Sequence, residues 1–219
     1  MSPRPRKVSD EQVFAATQRV MGRVGPGDLT LGAIAAEAGV TAGALVQRFG
    51  SKRELLLEFT RRFAEYVPHM FAALRARSGS PLAALRTYVE QMAQMGESPA
   101  ELAHHLSYLQ LDFADPDFHE YARAQAWATR VELELLLAEA RSAGEVPSDT
   151  DVKGLARALE LTVNGSLITW AFYQDGTAAD WMRRDFDALL ERYGVKPAKV
   201  RRVRAAKPGA ARQRKRRRS

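Results

Sequence analysis

The chain contains no cysteine among its 219 residues. This absence excludes disulfides, thiolate-bound metal sites and a cysteine nucleophile. No apolar run reaches the length of a transmembrane helix, the first residues lack the pattern of a signal peptide, and no β-rich stretch stands out. From these absences we expect a cytoplasmic, helical protein that makes no contact with a membrane.

Motifs of the common enzyme classes are absent as well. The sequence shows no nucleophile motif, no P-loop and no dinucleotide fingerprint. The glycine-rich segment Gly22–Gly27 follows a predicted helix rather than a strand, so it predicts a turn. His104 and His105 are adjacent and would point about 100° apart on a helix, which makes them a poor pair of metal ligands. We therefore predict no catalytic site, no metal site and no cofactor.

Positive charge is concentrated at the two ends of the sequence, which has a net charge of +7. Residues 196–219 hold 12 Lys and Arg and no acid, and Arg4, Arg6 and Lys7 add three more; without these fifteen charges, residues 8–195 carry −8. Basic ends on an acidic body fit a polyanionic partner. Residues 196–219 are too poor in apolar side chains to fold, so we predict a disordered basic tail. It is either a merely solvated terminus or, as we favour, a sequence-independent DNA contact.

Hydrophobic periodicity and capping residues predict an all-α fold of about nine helices. Two segments, Ser9–Gln12 and Ser51–Glu54, have capping-box spacing. Pro68 falls inside the fourth helix, where it predicts a kink. The predicted helices cover approximately residues 9–21, 31–37, 41–49, 51–77, 81–95, 98–113, 115–142, 151–175 and 177–193.

The segment Leu29–Lys52 reads LTLGAIAAEAGVTAGALVQRFGSK. A short helix, a turn with glycine and a second short helix predict a helix-turn-helix. Its buried seam is predicted at Ile34, Ala38, Val40, Leu45 and Phe49. The exposed face of its second helix is predicted to carry Thr41, Ala42, Gly43, Ala44, Gln47 and Arg48. A helix of this kind fits the major groove of B-DNA, where all four base pairs are distinguishable.

This segment resembles the DNA-binding motif of the tetracycline-repressor (TetR) family of bacterial regulators. The matching residues are Thr30, Ile34, Ala35, Ala38, Gly39, Val40, Thr41, Gly43, Leu45, Phe49, Ser51, Lys52 and Leu55. The resemblance implies a three-helix DNA-binding domain with a helix-turn-helix (residues 8–52), followed by a helical-bundle domain for ligand binding and dimerisation (53–195). The sequence departs from the family pattern at Val46, where an aromatic is usual, and at Arg48, where Tyr or His is usual.

Side-chain chemistry suggests roles for the residues of the motif. Thr30 and Thr41 can hold phosphate through their hydroxyls and the amides of a helix N-terminus, and Lys52 can add a cationic contact. The Gln47 amide can pair with adenine through two hydrogen bonds. Gly43 allows close approach to the DNA. The sequence leaves open whether Arg48 contacts phosphate or guanine, and it suggests that Arg4, Arg6 and Lys7 form an arm along the duplex.

The resemblance also implies a ligand cavity among the middle helices and a homodimer formed by the last two. Aromatic, methionine and polar residues suited to a ligand site are Tyr66, Met70, Tyr88, Met92, His105, Tyr108, Trp127, Asn164 and Trp170. Residues predicted at the dimer interface are Leu161, Gly165, Ile168, Phe172, Met182, Phe186, Leu189, Leu190 and Tyr193. A two-fold dimer would read the two half-sites of a palindrome.

The predicted function is that of a repressor on double-stranded DNA, released from its palindromic operator by a small apolar effector that shifts the fourth helix. The alternative is a nucleoid-type architectural protein bound to DNA through its basic ends. These two hypotheses differ in sequence preference, because only the repressor requires a discrete palindrome. Activation rather than repression also stays open at this stage.

Overall fold

The computed structural model describes residues 8–96 and 98–195. Within these ranges it contains ten α-helices, one short 3-10 turn and no strand, which confirms the all-α prediction. No helix in the described ranges is long and apolar enough to cross a membrane. The helices are α1 (Asp10–Met21), α2 (Leu31–Ala38), α3 (Ala42–Phe49), α4 (Lys52–Arg77), α5 (Pro81–Ala93), α6 (Pro99–Ser107), α7 (Leu109–Ala114), α8 (Pro116–Ser142), α9 (Val152–Tyr173) and α10 (Ala178–Arg192).

Polar side chains begin the helices where the sequence places them. Ser9 and Gln12 form a reciprocal capping box at the start of α1. Ser51 accepts a hydrogen bond from the Glu54 amide at the start of α4, and Thr177 accepts one from the Asp180 amide at the start of α10. These caps satisfy amides that have no partner within the helix. α4 runs without interruption through Pro68.

The described residues form two apolar cores. The smaller core joins α1, α2, α3 and the first turns of α4 and includes Val13, Ile34, Leu45 and Leu55. The larger core joins the rest of α4 to α5, α8, α9 and α10 around residues such as Phe71, Leu136 and Phe186. Because α4 contributes to both cores, it connects the N-terminal part to the bundle.

The segment 98–113, predicted as one helix, is two helices. α6 ends at Ser107 and α7 begins at Leu109, with Tyr108 between them. The apolar spacing of Leu102, Leu106, Leu109 and Phe113 continues through the break, and neither glycine nor proline marks it. The fifth helix is also shorter than predicted, because α5 ends at Ala93 and a 3-10 turn, Gln94–Gly96, follows.

Two groups of predicted residues lie outside the described ranges. They are the N-terminal arm with Arg4, Arg6 and Lys7, and the basic tail of residues 196–219. Their proposed contacts with DNA therefore stay predictions from the sequence.

Candidate nucleic-acid interface

A tight turn fixes the angle between α2 and α3. Gly39 has φ +72°, a left-handed conformation that glycine adopts without steric strain. The Val40 amide then donates to the Ala35 carbonyl at 2.9 Å, which closes the end of α2. Thr41 starts α3 directly afterwards, and its hydroxyl accepts from the Ala44 amide at 3.1 Å. The predicted helix-turn-helix is confirmed.

The seam between the two short helices is apolar, as predicted. Ile34 and Leu45 are fully buried, and Ala38, Val40 and Phe49 pack at the edge of the same core. The Phe49 ring lies 5.8 Å from the Phe14 ring of α1, measured between ring centroids. α3 is therefore held on one side only.

The opposite side of α3 is exposed over its whole length. Thr41, Ala42, Gly43, Ala44, Gln47 and Arg48 are all exposed, which matches the predicted face. A Cβ placed on Gly43 would meet only the Thr41 hydroxyl, at 4.0 Å, so nothing in the described chain covers this point. The face is free to enter a groove about 12 Å wide.

Thr30 has the same position at the start of α2 that Thr41 has at the start of α3. Its hydroxyl accepts from the Ala33 amide at 3.1 Å. Both threonines are exposed, and each stands at a helix N-terminus, where the helix dipole and unpaired amides favour an anion. This geometry suits two phosphate contacts.

Arg48 makes its contacts inside the domain rather than along the exposed face. Its guanidinium donates to the Val8 carbonyl at 2.8 Å and forms an ion pair with Asp10 at the start of α1. It also lies 5.4 Å from the centroid of the Phe49 ring. The structure thus shows Arg48 joining α3 to α1, and a DNA contact would require these bonds to be exchanged.

Lys52 is likewise bonded within the chain. Its ammonium group donates to the Leu29 carbonyl at 2.9 Å and to the Pro26 carbonyl at 3.2 Å. These carbonyls belong to the loop before α2, next to Thr30. Lys52 therefore secures the start of α2, and only one of its three N–H groups remains for another partner.

An ion-paired carboxylate fixes α2 against α1. Glu37 accepts from Arg23 at 2.5 Å and from Arg19 at 2.6 Å. The hydrogen bonds from Arg23 and then Arg19 lower the pKa of Glu37 below its ordinary value. The carboxylate therefore stays ionised at neutral pH, and α2 keeps its orientation on α1.

The bundle touches this N-terminal part through α6 and the residue after it. The Tyr108 hydroxyl donates to the Val24 carbonyl at 3.0 Å, and the His104 ring nitrogen lies 3.2 Å from the Gly22 carbonyl. Burial raises the pKa of Tyr108 to about 12, so the hydroxyl stays a donor at neutral pH. Sequence analysis missed these contacts, because the partners are more than 80 residues apart.

A second connection joins the first turn of α4 to the start of α8. Arg53 donates to both carboxylate oxygens of Asp115 at 2.9 Å and to Asp117 at 2.7 Å. The guanidinium also lies 5.7 Å from the centroid of the Phe118 ring. The bonds from Arg53 lower the pKa of Asp115. α4 is thus tied to α8 directly beside the helix-turn-helix.

The nine residues predicted to bind a ligand do not share one cavity. Tyr88 and Trp170 are buried in the larger core, and Met70 and Met92 pack at its edge. The other five are dispersed: Tyr66, Trp127 and Asn164 are exposed, His105 is half-buried, and Tyr108 belongs to the smaller core. A cleft of about 330 Å³ between α4 and α8 has a different, mostly charged lining: Glu54, Leu57, Glu58, Arg61, Asp117, Glu120 and Tyr121. The ligand-binding role of the nine residues therefore stays a prediction.

The nine residues predicted at the dimer interface divide into two groups. Leu161, Gly165, Ile168 and Phe172 form an exposed line on α9. Met182, Phe186 and Leu190 of α10 are at most 2% exposed and lie in the core of the chain itself, while Leu189 and Tyr193 pack at its edge. Within the chain the apolar side of α10 faces α5 and α9, and the interface role of these α10 residues stays a prediction.

Comparisons with known proteins agree with this architecture. Residues 13–59, which contain the helix-turn-helix, match the sequence model of the bacterial regulatory proteins of the tetR family. The chain is 26% identical over 192 residues to the probable HTH-type transcriptional regulator ArpR of Pseudomonas putida, across 81% of this chain and 90% of that protein.

Two solved structures show the same fold. The crystal structure of a TetR transcription regulator from Haloarcula marismortui has a TM-score of 0.66 at 19% identity and matches 84% of this chain and 97% of that one. The transcriptional regulator FadR of Bacillus subtilis in complex with stearoyl-CoA has a TM-score of 0.62 at 17% identity and matches 83% of this chain and 98% of that one.

Proposed function

We propose that the chain is a TetR-type transcriptional regulator, as the match of residues 13–59 supports, and that it acts as a homodimeric repressor in the cytoplasm. In this proposal it binds a palindromic operator and leaves the DNA when a small apolar molecule binds to its helical bundle. The observation that carries the proposal is the exposed face of α3, which is fixed by a buried seam and covered by nothing in the described chain.

We assign base reading to Gln47 and groove approach to Gly43, Ala42 and Ala44. Thr30 and Thr41 support phosphate binding by their positions at two helix N-termini. Lys52 and Arg48 act first by fixing α2 and α3, and each can add a phosphate contact if its internal bonds are exchanged. Arg4, Arg6 and Lys7 supply the arm along the duplex.

A dimer gives one short helix enough sequence to read. α3 has only eight residues, and a helix of this length contacts a few base pairs. Two copies related by a two-fold axis read two half-sites about one helical turn apart. The exposed apolar line on α9 supports self-association, because large exposed apolar patches mark interaction sites.

The effector site is proposed in the larger core, where the Tyr88 ring lies 5.1 Å from the buried Phe71 ring, measured between centroids, and Met70 and Met92 pack at the edge of the core. An apolar molecule fits such a lining, and methionine adapts to several shapes. Binding must favour a conformation that does not bind DNA. Two paths can transmit the change to the helix-turn-helix: α4 itself, with Pro68 as a hinge, and the contacts of His104 with Gly22 and of Tyr108 with Val24.

Selection of bound duplexes from a random pool tests the proposed function. The expected result is a discrete palindrome with half-sites spaced for a two-fold dimer. The architectural alternative requires selected sequences without a common motif, and this result would contradict the proposal. A thermal-shift screen with apolar metabolites follows, because a ligand that binds the native state raises its melting temperature.

A further inference from the structure

Val46 is an apolar side chain on the outer surface of α3. It is 48% exposed, and among residues 8–52 it is the one large apolar side chain that the chain leaves exposed, since the others are buried or half-buried. Its neighbour Leu45 is 1% exposed and holds α3 in the smaller core. The exposure of Val46 therefore does not result from loose packing of the helix.

Val46 adjoins residues that are proposed to enter the groove. It follows Ala42 by four residues and Gly43 by three, and residues at these spacings are neighbours on the surface of a helix. Gln47 follows Gly43 by four residues and adjoins it in the same way. All four residues are exposed, so they form one continuous surface of α3. Gln47 is the only one of the four whose side chain forms hydrogen bonds.

The positive charges next to this surface are bonded within the chain. Arg48, the only charged residue of α3, donates to the Val8 carbonyl and is ion-paired with Asp10. Lys52 donates to two carbonyls of the loop before α2. Guanine in the major groove is most often recognised by Arg or Lys, which donates to its O6 and N7 atoms. The surface around Val46 therefore lacks the usual means of recognising a G·C pair.

An A·T pair presents the groups that this surface is able to contact. The 5-methyl group of thymine is the apolar group that a base presents in the major groove, and adenine presents a donor and an acceptor that match the Gln47 amide. Contact between the thymine methyl group and Val46 removes apolar area from water on both sides, which is favourable. Against the polar edge of a G·C pair, the same valine would displace water without replacing its hydrogen bonds.

We propose that Val46 contacts the methyl group of a thymine in each half-site, and that the bases facing α3 are mainly A·T pairs. This inference rests on the proposed binding of an operator and names the kind of sequence that the operator contains. It makes Val46 a specificity-determining residue in addition to Gln47. Because a two-fold dimer places one Val46 in each half-site, the contact occurs twice per operator.

The test replaces thymine by deoxyuridine in the palindrome selected from the random pool. Deoxyuridine pairs with adenine as thymine does and lacks only the methyl group. Each duplex of the set carries the replacement at one position of both half-sites, and fluorescence anisotropy gives its affinity for the full-length chain. Burial of a methyl group is worth about fourfold in affinity, so replacement at the contacted thymine should weaken binding about fifteenfold over two half-sites. Replacement at the other thymines should have little effect.

Val46→Ala assigns the sensitive thymine to this side chain. Val46 is exposed and alanine favours a helix, so the variant should fold, and circular dichroism melting curves verify this. On the thymine palindrome it should weaken binding by a factor similar to that of the deoxyuridine replacement. On the deoxyuridine duplex it should have little further effect, because the contact is already lost. Leu109→Ala, which removes apolar atoms from an exposed position on α7, is the control and should change neither affinity.

The possible outcomes separate this inference from the proposed function. A palindrome in which no deoxyuridine replacement weakens binding, or whose half-sites consist mainly of G·C pairs, would overturn the thymine contact and leave the proposed repressor standing. An equal loss for Val46→Ala on the thymine and deoxyuridine duplexes would do the same, because it would place Val46 against the DNA backbone. Selected sequences without a common motif would overturn both proposals.

Discussion

At the residue scale, Gly43 and Gly32 provide a matched pair. Each is the second residue of a short helix after a threonine cap, and each is exposed. Alanine favours a helix over glycine by up to about 1 kcal/mol, so Gly43→Ala and Gly32→Ala should both raise the free energy of unfolding in urea.

The two variants should differ in DNA binding. Gly43→Ala adds a methyl group to the face of α3 that is proposed to enter the groove, so operator affinity should fall while stability rises. Gly32→Ala should lower affinity much less. Fluorescence anisotropy with the selected operator measures both, and equal affinities for the two variants would contradict the placement of α3 against the bases.

Gln47 should determine a base preference. Gln47→Ala removes a side chain able to form two hydrogen bonds to adenine, so we expect a loss of about 1–3 kcal/mol at the selected operator and relaxed preference at one position of each half-site. Gln110→Ala, on the exposed side of α7, is the control for the same truncation. An equal loss on random duplexes would assign Gln47 to the backbone instead.

Some features of the helix-turn-helix could be predicted from the sequence, and others could not. The exposed face and the buried seam of the helix-turn-helix were predictable, because they depend on local periodicity and caps. The partners of Arg48 and Lys52 were not, because Val8 and Asp10 lie about 40 residues from Arg48, and Pro26 lies 26 residues from Lys52. From the sequence alone, a cationic side chain in a DNA-binding motif suggests a phosphate contact. Its partners within the chain can be identified only from the fold.

At the element scale, Asp115 both caps α8 and holds Arg53. Its side chain accepts from the Asp117 amide at 3.0 Å, a role that asparagine can take over. Asp115→Asn therefore removes the charge and keeps the cap. Because Arg53 lowers the pKa of Asp115 below 3.8, the ion pair stabilises the fold above that pH and this contribution is lost as the pH falls further.

We expect Asp115→Asn to be less stable than the wild type at pH 7 and the difference to shrink near pH 3. Urea unfolding at both pH values measures it. Asp149→Asn, in the exposed loop before α9, is the control and should show no such convergence. A constant difference at the two pH values would mean that the carboxylate charge does not contribute.

The contact of Tyr108 with the loop after α1 is testable by removal of the Tyr108 hydroxyl. Tyr108→Phe removes the hydroxyl and leaves the Val24 carbonyl without this donor. The free energy of unfolding should therefore fall by about 1 kcal/mol. Hydrogen exchange of the amides in residues 22–29 should become faster. Tyr173→Phe removes an exposed hydroxyl and should change neither quantity.

Whole elements were more predictable than their interruptions. The starts of α1, α2, α3, α4 and α10 followed from their capping residues. The break between α6 and α7 could not be predicted, because the contacts beside it join residues far apart in the sequence. Tyr108 is bonded to Val24, and His104 to Gly22. The packing of the α10 stripe into the chain's own core was also not predictable, since an apolar stripe looks the same in the sequence whether it faces its own chain or a partner.

At the scale of the whole molecule, deletion of residues 196–219 should separate affinity from specificity. The deletion removes 12 positive charges and no acid. The slope of log affinity against log salt should become shallower by about 0.9 for each phosphate that the tail neutralises in the full-length chain, while the selected palindrome stays the same. A tail of equal length made of Gly and Ser is the control for chain length, and an unchanged slope would show that the tail does not touch DNA.

The smaller core has a consequence for engineering. Two of its buried members, Tyr108 and Phe118, come from the far half of the chain. A fragment that ends near residue 52 would leave that core exposed to water. A chimera that joins the helix-turn-helix to the helical bundle of another protein would do the same. A chimera that exchanges DNA specificity should fold when Tyr108 and Phe118 are transferred together with the helix-turn-helix.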